Sequence, residues 1–161
     1  VLWEYKDRGQ KGYDLTERFF EMFKTSLPDF NIEGPVRAGA DIQLQHIFAD
    51  YPNPTRPVDF VIRDKDKNVL AIGLARYDGD RGGAQEDDRT GGYSNCAKEI
   101  LQYTSEYNLP TKVIFVNDGP GLLLGSMWND YSNLEKINPN KVMVLTLRMF
   151  NERLTADWLT K

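Results

Sequence analysis

From Val58 to Tyr77 the chain reads as two strands joined by a tight turn, and this hairpin restricts the fold more than any other stretch. Val58-Asp59-Phe60-Val61-Ile62-Arg63 is rich in β-branched and aromatic residues. Asp64-Lys65-Asp66-Lys67-Asn68 is turn chemistry, and Val69 to Tyr77 is the returning strand. Strands this close in sequence pair antiparallel. A lone hairpin is marginal in water, so other elements must cover its faces.

The rest of the chain supplies those elements. Asp14 to Phe23 reads as an amphipathic helix, with apolar residues at 15, 19, 22 and 23. Asp14 caps it with Glu17 three residues on, and Ser26-Leu27-Pro28-Asp29 ends it. Asp41-Ile42-Gln43-Leu44-Gln45-His46-Ile47-Phe48 alternates like a strand, and Tyr51 to Pro57 is a proline-punctuated loop. Asp78 to Gly92 has glycine, charge and no apolar period, so a loop is expected. A helix is expected from Cys96 to about Tyr107, stopped by Asn108-Leu109-Pro110. Lys112 to Asn117 and Lys141 to Leu147 are short apolar runs of buried-strand type. Gly121 to Leu134 and Phe150 to Leu159 read as helices. An antiparallel start followed by helix crossovers implies an α/β fold: a central mixed β-sheet of at least four strands, flanked by helices on both faces. No repeat, low-complexity tract or long linker divides residues 1–161, so a single domain is expected.

Composition removes several functions. Hydrophobic residues make up 40% and charged residues 27%, the balance of a chain with a packed core. Cys96 is the only cysteine and His46 the only histidine, which excludes an internal disulfide, thiolate zinc and multi-histidine metal sites. Any metal must sit on carboxylates, which suits Mg²⁺, Mn²⁺ or Ca²⁺. The net charge of −4 argues against a passive nucleic-acid coat protein, and less against a nuclease, whose metal site is negative by design. No apolar run is long enough for a membrane span and no signal peptide opens the chain, so a cytoplasmic protein is expected. The chain begins at Val1 rather than Met, as a processed chain or an excised domain would.

The order of elements over roughly residues 12 to 147 resembles the core of the PD-(D/E)XK nuclease superfamily, which includes many type II restriction endonucleases. The sequence resemblance rests on the hairpin. Pro57-Val58-Asp59 stands where that family carries its first metal-binding aspartate, one residue later than a strict Pro-Asp pair. Ala71-Ile72-Gly73-Leu74-Ala75-Arg76 stands where it carries acid, any residue, lysine. In the family two carboxylates from adjacent strands hold a metal, which polarises the phosphate and activates water, and the lysine orients that water. On this alignment Asp59 matches, Gly73 takes the place of the second acid and Ala75 that of the lysine. Arg76 is one residue off and is expected on the opposite face of the strand.

The resemblance implies a DNA endonuclease using Mg²⁺, with Mn²⁺ able to substitute, and double-stranded DNA as partner. Cutting a palindrome would imply a two-fold homodimer. Asp59 is the expected anchor ligand and catalytic residue. The segment after the hairpin offers Asp78, Asp80, Glu86, Asp87 and Asp88 for the missing acid; Asp78 and Glu86 are the expected metal ligands, Glu86 also catalytic. Glu17 on the first helix is another candidate. Arg81, Gln85 and Arg89 are expected to contact phosphates or base edges. Plainer readings stand beside these. Asp59 could be a strand-end aspartate satisfied by backbone amides, and 78–92 a solvated loop. Gly73 could be an ordinary close-packing glycine, His46 core or strand surface, and Cys96 an inert buried thiol. Asn117 to Gly121 reads as a plain strand-to-helix turn. Two rival functions remain: an inactive nuclease-fold module for DNA binding or assembly, and an unrelated α/β protein holding a small phosphorylated ligand.

Overall fold

The computed structural model describes residues 2–35, 41–77, 84–119, 122 and 127–161. Five strands form the central sheet: β1 (Asn31–Glu33), β4 (Phe60–Arg63), β5 (Val69–Tyr77), β6 (Lys112–Asp118) and β7 (Val142–Leu145), in the order β1-β4-β5-β6-β7. β1, β4 and β5 pair antiparallel, whereas β5, β6 and β7 pair parallel. The sheet is therefore mixed, as the hairpin and the crossovers require. β2 (Ile42–Gln43) and β3 (Pro57–Val58) form a separate two-stranded ribbon.

Helices cover both faces. On one, Leu15, Phe19, Phe20 and Phe23 of α1 (Leu2–Ser26) pack with Phe60, Ile62, Ala71, Ile114, Val116, Met143 and Leu145. Phe150 and Leu154, at and just beyond α4 (Phe150–Arg153), and Leu159 of α5 (Ala156–Thr160) close the same cluster. On the other face, Cys96, Ala97, Ile100 and Tyr103 of α2 (Ala84–Glu106) meet Val61, Ile72, Val113, Phe115, Val142 and Val144. Tyr131 of α3 (Met127–Ser132) joins them, with Leu134 from the 3₁₀ turn that follows. Each phenylalanine of α1 buried this way contributes about 1.5–3 kcal/mol. Among the described residues no helix is long and apolar enough to cross a membrane.

Several local expectations need correction. The first helix starts at Leu2, so Asp14 lies within it and is not its cap; no proline stands in residues 2–13 to stop a helix. The alternation from Asp41 to Phe48 does not make a strand beyond Gln43. Leu44 and Phe48, four residues apart, are both buried, and the Phe48 amide donates to the Leu44 carbonyl at 2.8 Å. Packing at helical spacing overrides the period of two. The segment 84–92 is not loop but the first turns of α2; Gly91 and Gly92 cost about 1 kcal/mol each inside a helix, and the chain carries them. The helix expected from Gly121 is described only from Met127 to Ser132 and then tightens to a 3₁₀ turn. The terminal helix is two, because Leu154 leaves helical geometry and the Thr155 hydroxyl accepts from the Trp158 amide, capping α5. β1, with only Ile32 buried, is too short to announce itself by period.

Candidate active site

Asp59 lies between β3 and β4, where the chain slips from one sheet to the other. Val58 and Val61 both face α2, while Phe60 and Ile62 face α1, so Asp59 is the residue that absorbs the change of phase. Its backbone is pinned from two sides. The Asp59 amide donates to the Gly73 carbonyl at 2.9 Å. On the other side Gly34, at φ +155°, comes so close that a Cβ there would lie 2.2 Å from the Asp59 carbonyl oxygen. Only glycine fits both that approach and that φ. Of the side chain, Oδ2 accepts from the Ala75 amide at 2.8 Å, which is the backbone-satisfied arrangement for one of the two carboxylate oxygens.

Burial pushes the Asp59 carboxyl above its ordinary pKa, against the Ala75 hydrogen bond; repulsion from Asp41 raises it further and attraction to Arg76 lowers it. These neighbours define the site. Asp41 directly precedes β2, and the register Ile42↔Val58 carries it alongside Asp59. The ribbon that delivers Asp41 is tied to α2, because Arg56 donates to both oxygens of Glu99 at 3.1 and 3.4 Å. Arg76 is half-buried near the C-terminal end of β5 and makes no salt bridge among the described residues. Neither Asp41 nor Arg76 was a site residue by sequence. Asp41 sat in an expected strand, and Arg76 was assigned to the face away from the site.

The position of Gly73 explains the second omission. Gly73 shares a face with Ala71 and Ala75, as expected, but that face is turned to α1 and its cross-strand partner is Phe60, not Asp59. A Cβ at Gly73 would lie 1.9 Å from the Phe60 ring. Gly73 is a close-packing glycine, and no acid can occupy its place. The β4–β5 register ends at Phe60↔Gly73; beyond it Asp59 bonds to the Gly73 carbonyl and the Ala75 amide, and Leu74 between them packs toward α2. By strand alternation Arg76 shares that face.

The remaining candidates divide by position. Gln85, Glu86 and Arg89 lie in the first two turns of α2 rather than in a loop. Asp78, Asp80 and Arg81 lie outside the described residues. Glu17 is half-buried on α1, more than one turn from either end of the helix. His46 is exposed in a 3₁₀ turn, and Cys96 is buried in α2 with its thiol pushed up by burial. Among the described residues no group of three or more metal-ligating side chains is assembled. The donor set that is present, Asp41 with Asp59, is all hard oxygen and carries a repulsion that a divalent cation would relieve, so it fits Mg²⁺ or Mn²⁺.

One further residue belongs to this end of the sheet. Asn117, in register with Arg76, is fully buried, and neither its Oδ1 nor its Nδ2 has a hydrogen-bond partner among the described residues. It lies within β6, the last residue of the run expected as a buried strand, and the strand continues one residue beyond it.

No protein-family model matches the chain, and no curated protein matches it. Among solved structures it is similar to the MunI restriction endonuclease in complex with cognate DNA, at 13% identity and a TM-score of 0.41, over 81% of this chain and 83% of that one.

Proposed function

We propose that this chain is a DNA endonuclease domain of restriction-enzyme type, which hydrolyses phosphodiester bonds with Mg²⁺. The supporting observation is the placement of two mutually repelling carboxylates, Asp41 and Asp59, next to Arg76, which makes no salt bridge among the described residues, at the end of the β4–β5 hairpin. Asp59 and Asp41 would hold the ion, with Asp78 or Glu86 as the further acid. A bound Mg²⁺ supplies Lewis-acid polarisation of the phosphate and a water of lowered pKa. Arg76 offsets the negative charge that builds on the phosphate oxygens. Arg81, Gln85 and Arg89 contact double-stranded DNA, and a two-fold homodimer would present two such sites to a palindrome. A cytoplasmic setting goes with the single buried thiol of Cys96.

The test is incubation with mixed-sequence plasmid and Mg²⁺ or Mn²⁺. Wild type nicks or linearises the plasmid; Asp59→Asn and Asp41→Asn do not, while still binding DNA. A second reading, an inactive nuclease-fold module for DNA binding or assembly, is favoured by the Phe60 ring that bars an acid from position 73 and by the commitment of Asp59 Oδ2 to Ala75. Undiminished plasmid with retained DNA binding selects that reading.

A further inference from the structure

Asn117 carries a cost that the fold does not explain. A buried amide normally finds partners for both its donor and its acceptor, because losing water without replacement is unfavourable. Asn117 is fully buried and has none. By alternation from Phe115 it belongs to the α2 face of the sheet, the face that carries Leu74 and Arg76. Its neighbour across the parallel ladder is Arg76, itself without a salt bridge among the described residues. On its other flank the β6–β7 ladder ends at Val116↔Leu145, one residue short of Asn117. Ligands of sheets with parallel strands gather outside the carboxyl ends of those strands. Here that end holds an unpaired amide and an unbridged guanidinium side by side.

We infer that Asn117, together with Arg76, receives an oxygen of the substrate phosphodiester, directly or through one ordered water. The Nδ2 donor beside a cation selects an acceptor that bears negative charge. The inference deepens the endonuclease reading and rests on it for the identity of the substrate, but it makes Asn117 a ligand-binding group whether or not the bond is cut.

Two nearly isosteric variants test it. Asn117→Leu removes the unpaired amide, and Asn117→Asp keeps the shape while turning the donor into a negative acceptor. Thermal stability of the free protein is measured, together with affinity for a short mixed-sequence duplex in EDTA, where no cleavage intervenes. Asn117→Leu should raise Tm by about 2–4 °C, because an orphaned polar group is gone. It should weaken duplex binding about tenfold. Asn117→Asp should weaken binding more than Asn117→Leu does, through repulsion of phosphate. A lower Tm for Asn117→Leu with unchanged affinity makes Asn117 a water-satisfied core amide and overturns the inference. So does unchanged affinity in Asn117→Asp, even if Asn117→Leu fails to fold. Wild type that cleaves plasmid while both variants bind as it does leaves the endonuclease reading standing and this inference refuted. Wild type that binds but does not cleave, with the variants weakened, does the reverse. No duplex binding by wild type overturns both.

Discussion

The ring of Phe60 occupies the space that any side chain at Gly73 would need. An added Cβ would stand 1.9 Å from the ring's Cζ, and Phe60 is itself fully buried against Phe19 and Phe20, with ring centroids 4.9 and 6.3 Å away. The ring therefore has nowhere to go. Gly73→Ala should cost about 1–3 kcal/mol by overpacking, measured by urea denaturation. Phe60→Leu on the same background should recover part of that loss; an additive loss would mean that the two residues do not compete for space.

Leu74, which lies between the two β5 residues bonded to Asp59, Gly73 and Ala75, is the place to add an acid beside Asp59. If the protein lacks a complete metal site, Leu74→Glu, alone or with Arg76→Lys, should raise Mn²⁺ affinity at least about tenfold and bring in Mg²⁺-dependent nicking. If Asp41 and an acid near α2 already complete the site, the added charge beside Asp59 should instead lower existing cleavage. The sign of the change in rate, read on plasmid gels, separates an inactive module from a working nuclease.

Asp59 makes stability depend on pH in a defined direction. Its folded-state pKa is raised above the ordinary 3.8, chiefly by burial, so the native state binds the proton more tightly than the unfolded state. Its favourable contribution is complete below 3.8 and is lost as pH rises through the folded-state value. Asp59→Asn can still accept from the Ala75 amide and carries no charge to desolvate. Its stability relative to wild type should therefore increase from pH 3 to pH 7, followed by thermal melts across that range. Adding Mg²⁺ at pH 7 should raise the Tm of wild type and leave that of Asp59→Asn unmoved. An equal shift in both would remove Asp59 from the metal site.

The proposed DNA-contacting residues make a separable prediction. Arg89→Ala and Arg81→Ala should each reduce the slope of log K against log salt by about one and weaken all sequences about equally, if they meet phosphates. Gln85→Ala should leave the slope unchanged and relax preference at one base position, if it reads a base edge. Filter binding over a salt series with two unrelated duplexes checks both. No effect from any of the three removes the start of α2 and the segment before it from the binding surface.

Read alone, the sequence determined four of the five strands of the sheet, β4 to β7, and the sheet's mixed character. β4–β5, β6 and β7 are runs whose apolar content leaves little local choice, and a short turn dictates antiparallel pairing while long crossovers permit parallel pairing. Asp59 drew attention through the resemblance of Pro57-Val58-Asp59 to the nuclease pattern. Tertiary structure decided everything that depends on register and phase. The β4–β5 register sets Phe60 rather than Asp59 opposite Gly73, and the β5–β6 register sets Arg76 beside Asn117; a slip of one would reverse every side chain in a strand. The ribbon pairing Ile42↔Val58 brings Asp41 to Asp59 across 18 positions of sequence, a contact that no local pattern encodes. Asn117 closes a run of buried-strand type and also opens Asp118-Gly119 turn chemistry; only the length of β6 and the packing around it place its amide in the interior.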